Sequence, residues 1–310
     1  MRRLLSALAV LAAFVVAGCG LGAGSTPGAT SLLVTQDFGA KVLTDLPQPE
    51  LSGEDTVMRM LDRNVKTEKR YGGKFIQTIG GVSGGERGGL GVDWIFYVNG
   101  VQADKGATSV KLHDGDAVWW DNHAWETSTV GAVVGSFPEP FAHGIDGRRL
   151  PVRIECADPD GDACRTIQER LVEAKVPASR ARLAAQLEED TLRIVVGPIQ
   201  RVRGDRAVSL LAEGPETSGV FAKPSADGKS FQVLDPTGKV VQTIGAGSGL
   251  IAAIAPPDNG TSELPVWVVT GTDADGVAAA AAAFDEGTLS RKFALAISGD
   301  GIGIALPQPR

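Results

Sequence analysis

Histidine is scarce in this chain, with three in 310 residues. So few imidazoles leave little general-base chemistry, and no G-x-S-x-G, H-E-x-x-H or comparable catalytic motif occurs. An enzyme is therefore not expected, and a carboxylate pair is the one acid–base arrangement the sequence leaves open. Aromatic residues are also few, at 5%, while glycine supplies 40 positions, which points to many turns and modest cores. Positive charge is short: the formal net charge is −7. A chain this acidic has no general electrostatic attraction for nucleic acid or for anionic lipid heads. Beyond the first twenty residues no segment is long and apolar enough to span a bilayer.

What is present at the start is a leader. MRRLLSALAVLAAFVVAGCG has a basic pair, Arg2 and Arg3, then an apolar run from Leu4 to Val16. It reads as a secretory signal, too short and wrongly flanked to span a membrane. Its end resembles the bacterial lipobox, with small residues before Cys19. That resemblance implies cleavage after Gly18, removal of residues 1–18, and acylation of Cys19 on sulfur and on its new amino group. Several acyl chains would hold the protein stably on the outer face of the cell membrane. Losing Arg2 and Arg3 takes the Lys and Arg count from 30 to 28 against 37 acids, a net charge of −9. Residues 19–30, rich in Gly, Ser, Thr and Pro, read as a flexible tether. The remaining cysteines, Cys156 and Cys164, read as a disulfide in an oxidising compartment. Such a small loop is worth about 2–3 kcal/mol in the chain-entropy picture.

Two halves are expected, residues 31–127 and 150–310, joined by a turn-rich segment at 128–149. Val130, Val133, Val134, Phe137 and Phe141 in that segment are apolar enough to pack against either half. In the first half, 31–43 reads as strand, Gly39 turn, strand. A helix is expected from near Asp55, with Val57, Met58, Leu61 and Val65 on one face and Tyr71-Gly72-Gly73 closing it. KFIQTIGGV is a short strand. The glycine-rich run GGVSGGERGGLGV (80–92) is expected to be a mobile loop. In DWIFYVNG, Trp94, Phe96 and Val98 alternate with Ile95 and Tyr97, and Asn99-Gly100 is a tight turn. A strand pair is expected around Asp114-Gly115, giving the order β-β-α-β-β-β.

The stretch DWIFYVNGVQADKGATSVKLHDGDAVWWDN resembles a bacterial domain of unknown function related to the C-terminal domain of transcobalamin and intrinsic factor. The resemblance rests on the aromatic strand ending Val98-Asn99-Gly100, on Gly106, on Leu112 to Asp116 followed by Trp119-Trp120, and on the upstream helix with Tyr71-Gly72-Gly73-Lys74-Phe75. It covers about residues 31–127 and implies a β-grasp-like fold. In the eukaryotic relatives this domain closes over cobalamin, so the resemblance makes a cobalamin-like molecule a candidate ligand.

The second half alternates strand and helix as an α/β domain with a mixed sheet. Strands are expected at 150–156, at TLRIVVGPI and LPVWVVTGT, and at KFALAI and GIGIAL, with hairpin turns at Asp227-Gly228 and Thr237-Gly238. Asp162 is expected to cap a helix at 163–174 whose Ile167, Leu171 and Val172 face inward. A short helix is expected at 205–212, and Asp273 starts an alanine-rich helix through Phe284. The glycine run Gly245–Gly249 suits a turn better than a dinucleotide loop, because LIAAIA after it suits a strand.

Candidate sites are few. The helix start at Asp273 and Asp275 is a natural anion site, but those acids already complement the helix dipole. Asp158, Asp160 and Asp162 lack the spacing of a calcium loop. His113 and His123 with Asp114, Asp116 or Asp121 fall short of converging zinc ligands. What remains is the tryptophan cluster in HDGDAVWWDNHAW. Trp119 and Trp120 are neighbours on a strand, so they point to opposite faces, and one of them needs a cover other than its own core. An uncovered ring would be a stacking surface for a flat ligand or an anchor for an interface. The sequence reading is thus an α+β, β-grasp-like domain followed by an α/β domain, in a lipid-anchored extracytoplasmic protein that captures a cobalamin-like or other planar small molecule for uptake. Its candidate ligand residues are Trp120, Trp125, His123 and Asn99, with a membrane transporter as candidate partner and neither a catalytic residue, a metal nor a cofactor expected. The alternative is a cell-envelope interaction protein in which the same tryptophans form an interface.

Overall fold

The computed structural model describes residues 26–73, 75–183, 190–255 and 264–309. The expected signal sequence at 1–18 and the expected lipidation site Cys19 lie outside the described residues. The architecture is a mixed α+β one, built mostly from strands in several sheets.

The first half is built on β1 (Ser31–Gln36), β2 (Lys41–Leu46), β6 (Gly85–Arg87), β7 (Leu90–Val98), β8 (Val101–Gln102) and β9 (Ala117–Ala124). They form a six-stranded sheet in the order β2-β1-β9-β7-β6, with β8 on β7. β1 runs parallel to β9, and the other pairs are antiparallel. Helix α1 (Val57–Asn64) packs Val57, Met58, Met60 and Leu61 onto one face, against Leu32, Val34, Trp94, Phe96, Val118 and Trp120. Thr56 caps it, accepting from the Arg59 N–H at 3.3 Å.

Three expectations here are corrected. The helix stops at Asn64 rather than at Tyr71, and Thr67–Arg70 is a strand, β3, paired with β4 (Phe75–Ile79). Asn64 ends the helix by donating its side-chain amide to the Met60 and Glu50 carbonyls, both at 2.8 Å. The glycine-rich run is not a loop but two hairpins: β4 turns into β5 (Val82–Ser83) at Gly80-Gly81, and β6 turns into β7 at Gly88-Gly89. Both glycine pairs have positive φ, at 57° and 83° and at 60° and 80°, the backbone that two-residue hairpin turns require. In addition, no strand pair flanks Asp114-Gly115: Lys111 makes only an isolated bridge to Thr56, and β9 starts at Ala117.

The second half holds a seven-stranded sheet in the order β11-β10-β12-β17-β16-β18-β19. Its strands are β10 (Val152–Cys156), β11 (Ala178–Arg182), β12 (Leu192–Pro198), β16 (Gly249–Ile254), β17 (Val266–Gly271), β18 (Ala294–Ile297) and β19 (Gly303–Leu306). β11, β10, β12 and β17 are parallel, and β16, β18 and β19 continue antiparallel, so the mixed sheet is as expected. β13 (Ala222–Pro224), β14 (Phe231–Leu234) and β15 (Val240–Ile244) form a separate three-stranded sheet with turns at Gly228 and Gly238. Helix α2 (Asp162–Glu173) and the helix Ala274–Ala282 cover one face of the large sheet. Asp162 is the first residue of α2 rather than its cap, since Gly161 holds that position, and Val172 points outward, 62% exposed. Cys156 and Cys164 are joined as a disulfide, both 1% exposed, tying the end of β10 to α2.

The other face of the large sheet shares a single core with the first half. Phe38, Tyr97 and Trp119 lie in one apolar cluster with Val195, Phe221, Leu250, Val268 and Phe293. The joining segment is buried on both faces of the large sheet: Val130 and Val133 enter this shared core, and Val134, Phe137 and Phe141 enter the cluster beneath α2. Its backbone bonds to both sides, Val133 N–H to Gly100 O at 2.8 Å and Val134 N–H to Phe293 O at 3.1 Å.

Candidate functional site

Strand β9 carries the chemistry. One row of its side chains, Val118 and Trp120 among them, faces α1. The other row, Trp119, Asp121 and His123, faces the second half, as the period of two dictates. The parallel register sets Thr35 of β1 beside Asp121. There Trp119 Nε1 donates to Thr35 Oγ1 at 2.6 Å, and the Thr35 hydroxyl donates to Asp121 Oδ2 at 2.5 Å. His123 Nδ1 lies 2.8 Å from Asp121 Oδ1. Thr35, Asp121 and His123 are each 0% exposed.

The same carboxylate holds the turn between β1 and β2. Phe38 and Gly39 donate their N–H groups to it at 3.0 and 2.9 Å. Asp37, Phe38 and Gly39 all sit at positive φ, 59°, 56° and 82°. For Asp37 and Phe38 that backbone costs roughly 1–2 kcal/mol per residue, and Asp121 fills the concavity of N–H groups so formed. Gly39 is required: a Cβ there would lie 2.0 Å from the Arg291 carbonyl oxygen. Phe38 turns inward onto His123, at a ring distance of 4.6 Å, and onto Phe221 and Phe293. His123 Nε2, Tyr97 Oη and Asn122 Nδ2 are buried without a hydrogen-bond partner. Burial, and then the charge of Asp121, pushes the Tyr97 phenol well above its ordinary value.

Outside this network lies a cleft of about 630 Å³ between the halves, within the range of about 300–1,000 Å³ typical of small-molecule sites. One wall is the Asp37–Ala40 turn with Arg87, Leu90, Val92 and Ala124. The other is the turn Ser290–Lys292, Pro236 and the closing segment Ala305–Pro309. Arg87 pairs with Asp37 at 2.6 Å and also donates to Asn122 Oδ1. Lys292 Nζ donates to the Thr288 carbonyl at 2.6 Å. Burial, and then the neighbouring Arg291, pulls the Lys292 ammonium below its ordinary value.

The four candidate ligand residues are not brought together, and none of them lines this cleft. Trp120 is buried in the core, stacked on Phe96 at 4.7 Å, because the helix covers that face of β9. His123 is sealed behind Phe38. Asn99 is 1% exposed at the opposite end of β9 and serves the turn: it donates to Asp116 Oδ1 and to the Gly144 carbonyl and accepts from the Ala117 N–H. Only Trp125, at 52%, is open to solvent. The cleft itself left no sequence signal, since its walls come from six separate segments.

The other candidates resolve locally. Asp273 accepts from the Gly276 N–H at the helix start and from the Gly247 N–H in the glycine run, at 2.9 and 2.8 Å. These bonds hold its carboxyl below its ordinary value, so the protein's own side chain fills both anion positions. Asp158 accepts from the Asp160 N–H within its turn. His113 sits by Asp116 near the start of β9, far along the strand from His123. Among the described residues no group of three or more His, Cys, Asp or Glu is placed to hold a metal.

The first half thus defines an α+β module whose central strand pair bears a buried Asp–His–Thr–Trp network. Residues 54–124, from just before α1 to the end of β9, match the family described as a domain of unknown function, DUF4430. No curated protein matches the chain.

Proposed function

We propose that this chain is a lipid-anchored extracytoplasmic protein that binds a small molecule in the cleft between its halves for delivery to a membrane transporter. The cleft carries this reading: about 630 Å³ between two backbone-packed turns, with an apolar lining and a charged rim. In the same proposal the first half is a β-grasp-like module. The observations behind that are the helix laid across the sheet and the parallel contact of its first and last long strands, β1 and β9. The lipobox-like end of the leader supports the anchor, and among the described residues no helix is long and apolar enough to cross a membrane. The ligand seat differs from the sequence expectation: the cleft wall replaces the tryptophan face. A corrinoid would be gripped at one edge there, not stacked on Trp120.

Trp119 supplies the assay, because its indole packs against Gly39 in the cleft wall. Titrating the intrinsic fluorescence with cyanocobalamin should give saturable quenching that is lost when Ala40→Phe and Ala305→Phe together fill the mouth. No quenching beyond the inner-filter effect removes cobalamin as the ligand. The second reading, an envelope interaction protein, has one observation in its favour: Trp125 stands half exposed past the end of β9.

A further inference from the structure

The chain is acidic overall, at −7, yet the cleft rim is not. It presents Arg87, Arg291 and Lys292 against the single acid Asp37. Asp37 is already engaged by Arg87. Lys292 bonds only to neutral carbonyls, those of Thr288 and Ser290. Arg291 is exposed, and its guanidinium has no hydrogen bond or ion pair among the described residues. The two neighbouring cations disfavour one another; Asp285 offsets the effect of Arg291 on Lys292 only in part, and a bound anion would relieve both.

The placement of these charges is rigid. Arg291 sits at φ 60° with its carbonyl packed against Gly39, and the Lys292 backbone packs against Gly135. A side chain presented from a fixed turn loses less freedom on binding, and a guanidinium suits the two oxygens of an acid group. Deeper in, Phe38, Leu90, Val92, Pro236 and Pro307 offer an apolar wall.

Resting on the reading of the cleft as a ligand site, we infer that its ligand is an amphipathic organic acid. The apolar body lies along Leu90, Val92 and Pro307, and the anionic head pairs with Arg291 and Lys292.

The test compares two fluorescent probes of similar shape on the full chain: 8-anilinonaphthalene-1-sulfonate, an anion, and N-phenyl-1-naphthylamine, which is uncharged. A charge-assisted bond predicts that the sulfonate binds about tenfold tighter or more. Arg291→Asn, which tolerates the left-handed backbone, and Lys292→Met should each weaken the sulfonate about tenfold and leave the amine within about twofold. Octanoate should displace the sulfonate, and octanol should not. Equal affinity for the two probes, or no loss of sulfonate binding in either variant, overturns the anion assignment while leaving the cleft as a site. Binding of neither probe, or sulfonate binding that survives Ala40→Phe with Ala305→Phe, overturns the cleft reading itself.

Discussion

Replacing Asp121 by asparagine should unlock the wall of the cleft without changing its shape. Four donors converge on this carboxylate: the Thr35 hydroxyl at 2.5 Å, the Phe38 and Gly39 N–H groups at 3.0 and 2.9 Å, and His123 Nδ1 at 2.8 Å. An amide keeps one acceptor oxygen and turns an NH2 group towards two of those donors. Removing a buried charge is favourable by itself, but hydrogen bonds to a charged group contribute about 1.5–3 kcal/mol each. Two are lost, and the positive-φ turn at 37–39 loses part of what holds it. The expected cost is about 3–5 kcal/mol, the range seen when one partner of a buried charged network is removed. At roughly 2–4 °C per kcal/mol, the melting temperature should fall by about 10 °C. Urea unfolding followed by tryptophan fluorescence measures it directly. Thr35→Val, which also orphans Trp119 Nε1, should be non-additive with Asp121→Asn by at least about 0.5 kcal/mol. A loss below about 0.5 kcal/mol for Asp121→Asn, the level of an ordinary surface substitution, would refute the role given to the network.

Two further outcomes are expected. Reducing Cys156–Cys164, whose loop spans a sequence separation of 8, should cost about 2–3 kcal/mol in urea midpoint experiments; an unchanged midpoint under full reduction, verified by thiol labelling, would show that the bridge contributes nothing. Burial raises the carboxyls of Asp116 and Glu139 above their ordinary values of 3.8 and 4.5, against the lowering effect of bonds from His113 and Asn99 on Asp116 and from His143 on Glu139. The folded state therefore holds more protons than the unfolded one from those ordinary values up to the raised ones, so this pair's contribution to stability falls as pH rises through that window and is flat below it. The difference in stability between wild type and Asp116→Asn should change across the window; a constant difference would show that Asp116 does not titrate as the structure implies.

The parts of the fold that were legible in the sequence are those set by local rules. The alternation of Trp94 and Phe96 against Ile95 and Tyr97, the Asn99-Gly100 turn, the Asp273 cap and the strand after Gly249 follow from the period of two, from turn backbone and from helix-end chemistry. The errors share a different cause. Thr67–Arg70 continues a helical pattern, but Asn64 takes the helix carbonyl and β4 offers a partner, so tertiary pairing overrides periodicity. The glycines at 80–81 and 88–89 supply the positive φ that closes two hairpins, and the sequence signal for that is the same as for a loose loop. The Asp121 network was invisible because Thr35 and Asp121, 86 residues apart, meet only through the parallel register of β1 on β9. By residue type His123 suits a ligand site, whereas in the fold it backs Phe38 in the cleft wall.

Adjacency of Trp119 and Trp120 posed the question of what covers the second ring, and the cover also shapes the cleft. Phe293 meets Trp119 edge-on at 5.1 Å, and Gly135 lies beneath it: a Cβ there would come 2.8 Å from the indole and 2.6 Å from the Lys292 backbone nitrogen. Gly39 makes the matching approach to Arg291 from the other side of the same indole, 3.1 Å from Trp119 at its own Cβ position. Glycine is thus required at 39 and at 135, where the first half and the joining segment approach the backbone of the Ser290–Lys292 turn. The turn Ser290–Lys292 closes over Trp119 on one side and sets the cationic rim of the cleft on the other. Cleft and inter-half contact are therefore one structure, and opening the cleft would strip cover from Trp119, Phe38 and Tyr97, aromatic rings held in a common core. Exposing that much apolar surface opposes any hinge motion at about 25 cal/mol per Å². Ligand entry should then proceed through the existing mouth into a preorganised site, and its affinity should depend on the rim charges more than on any closure of one half over the other.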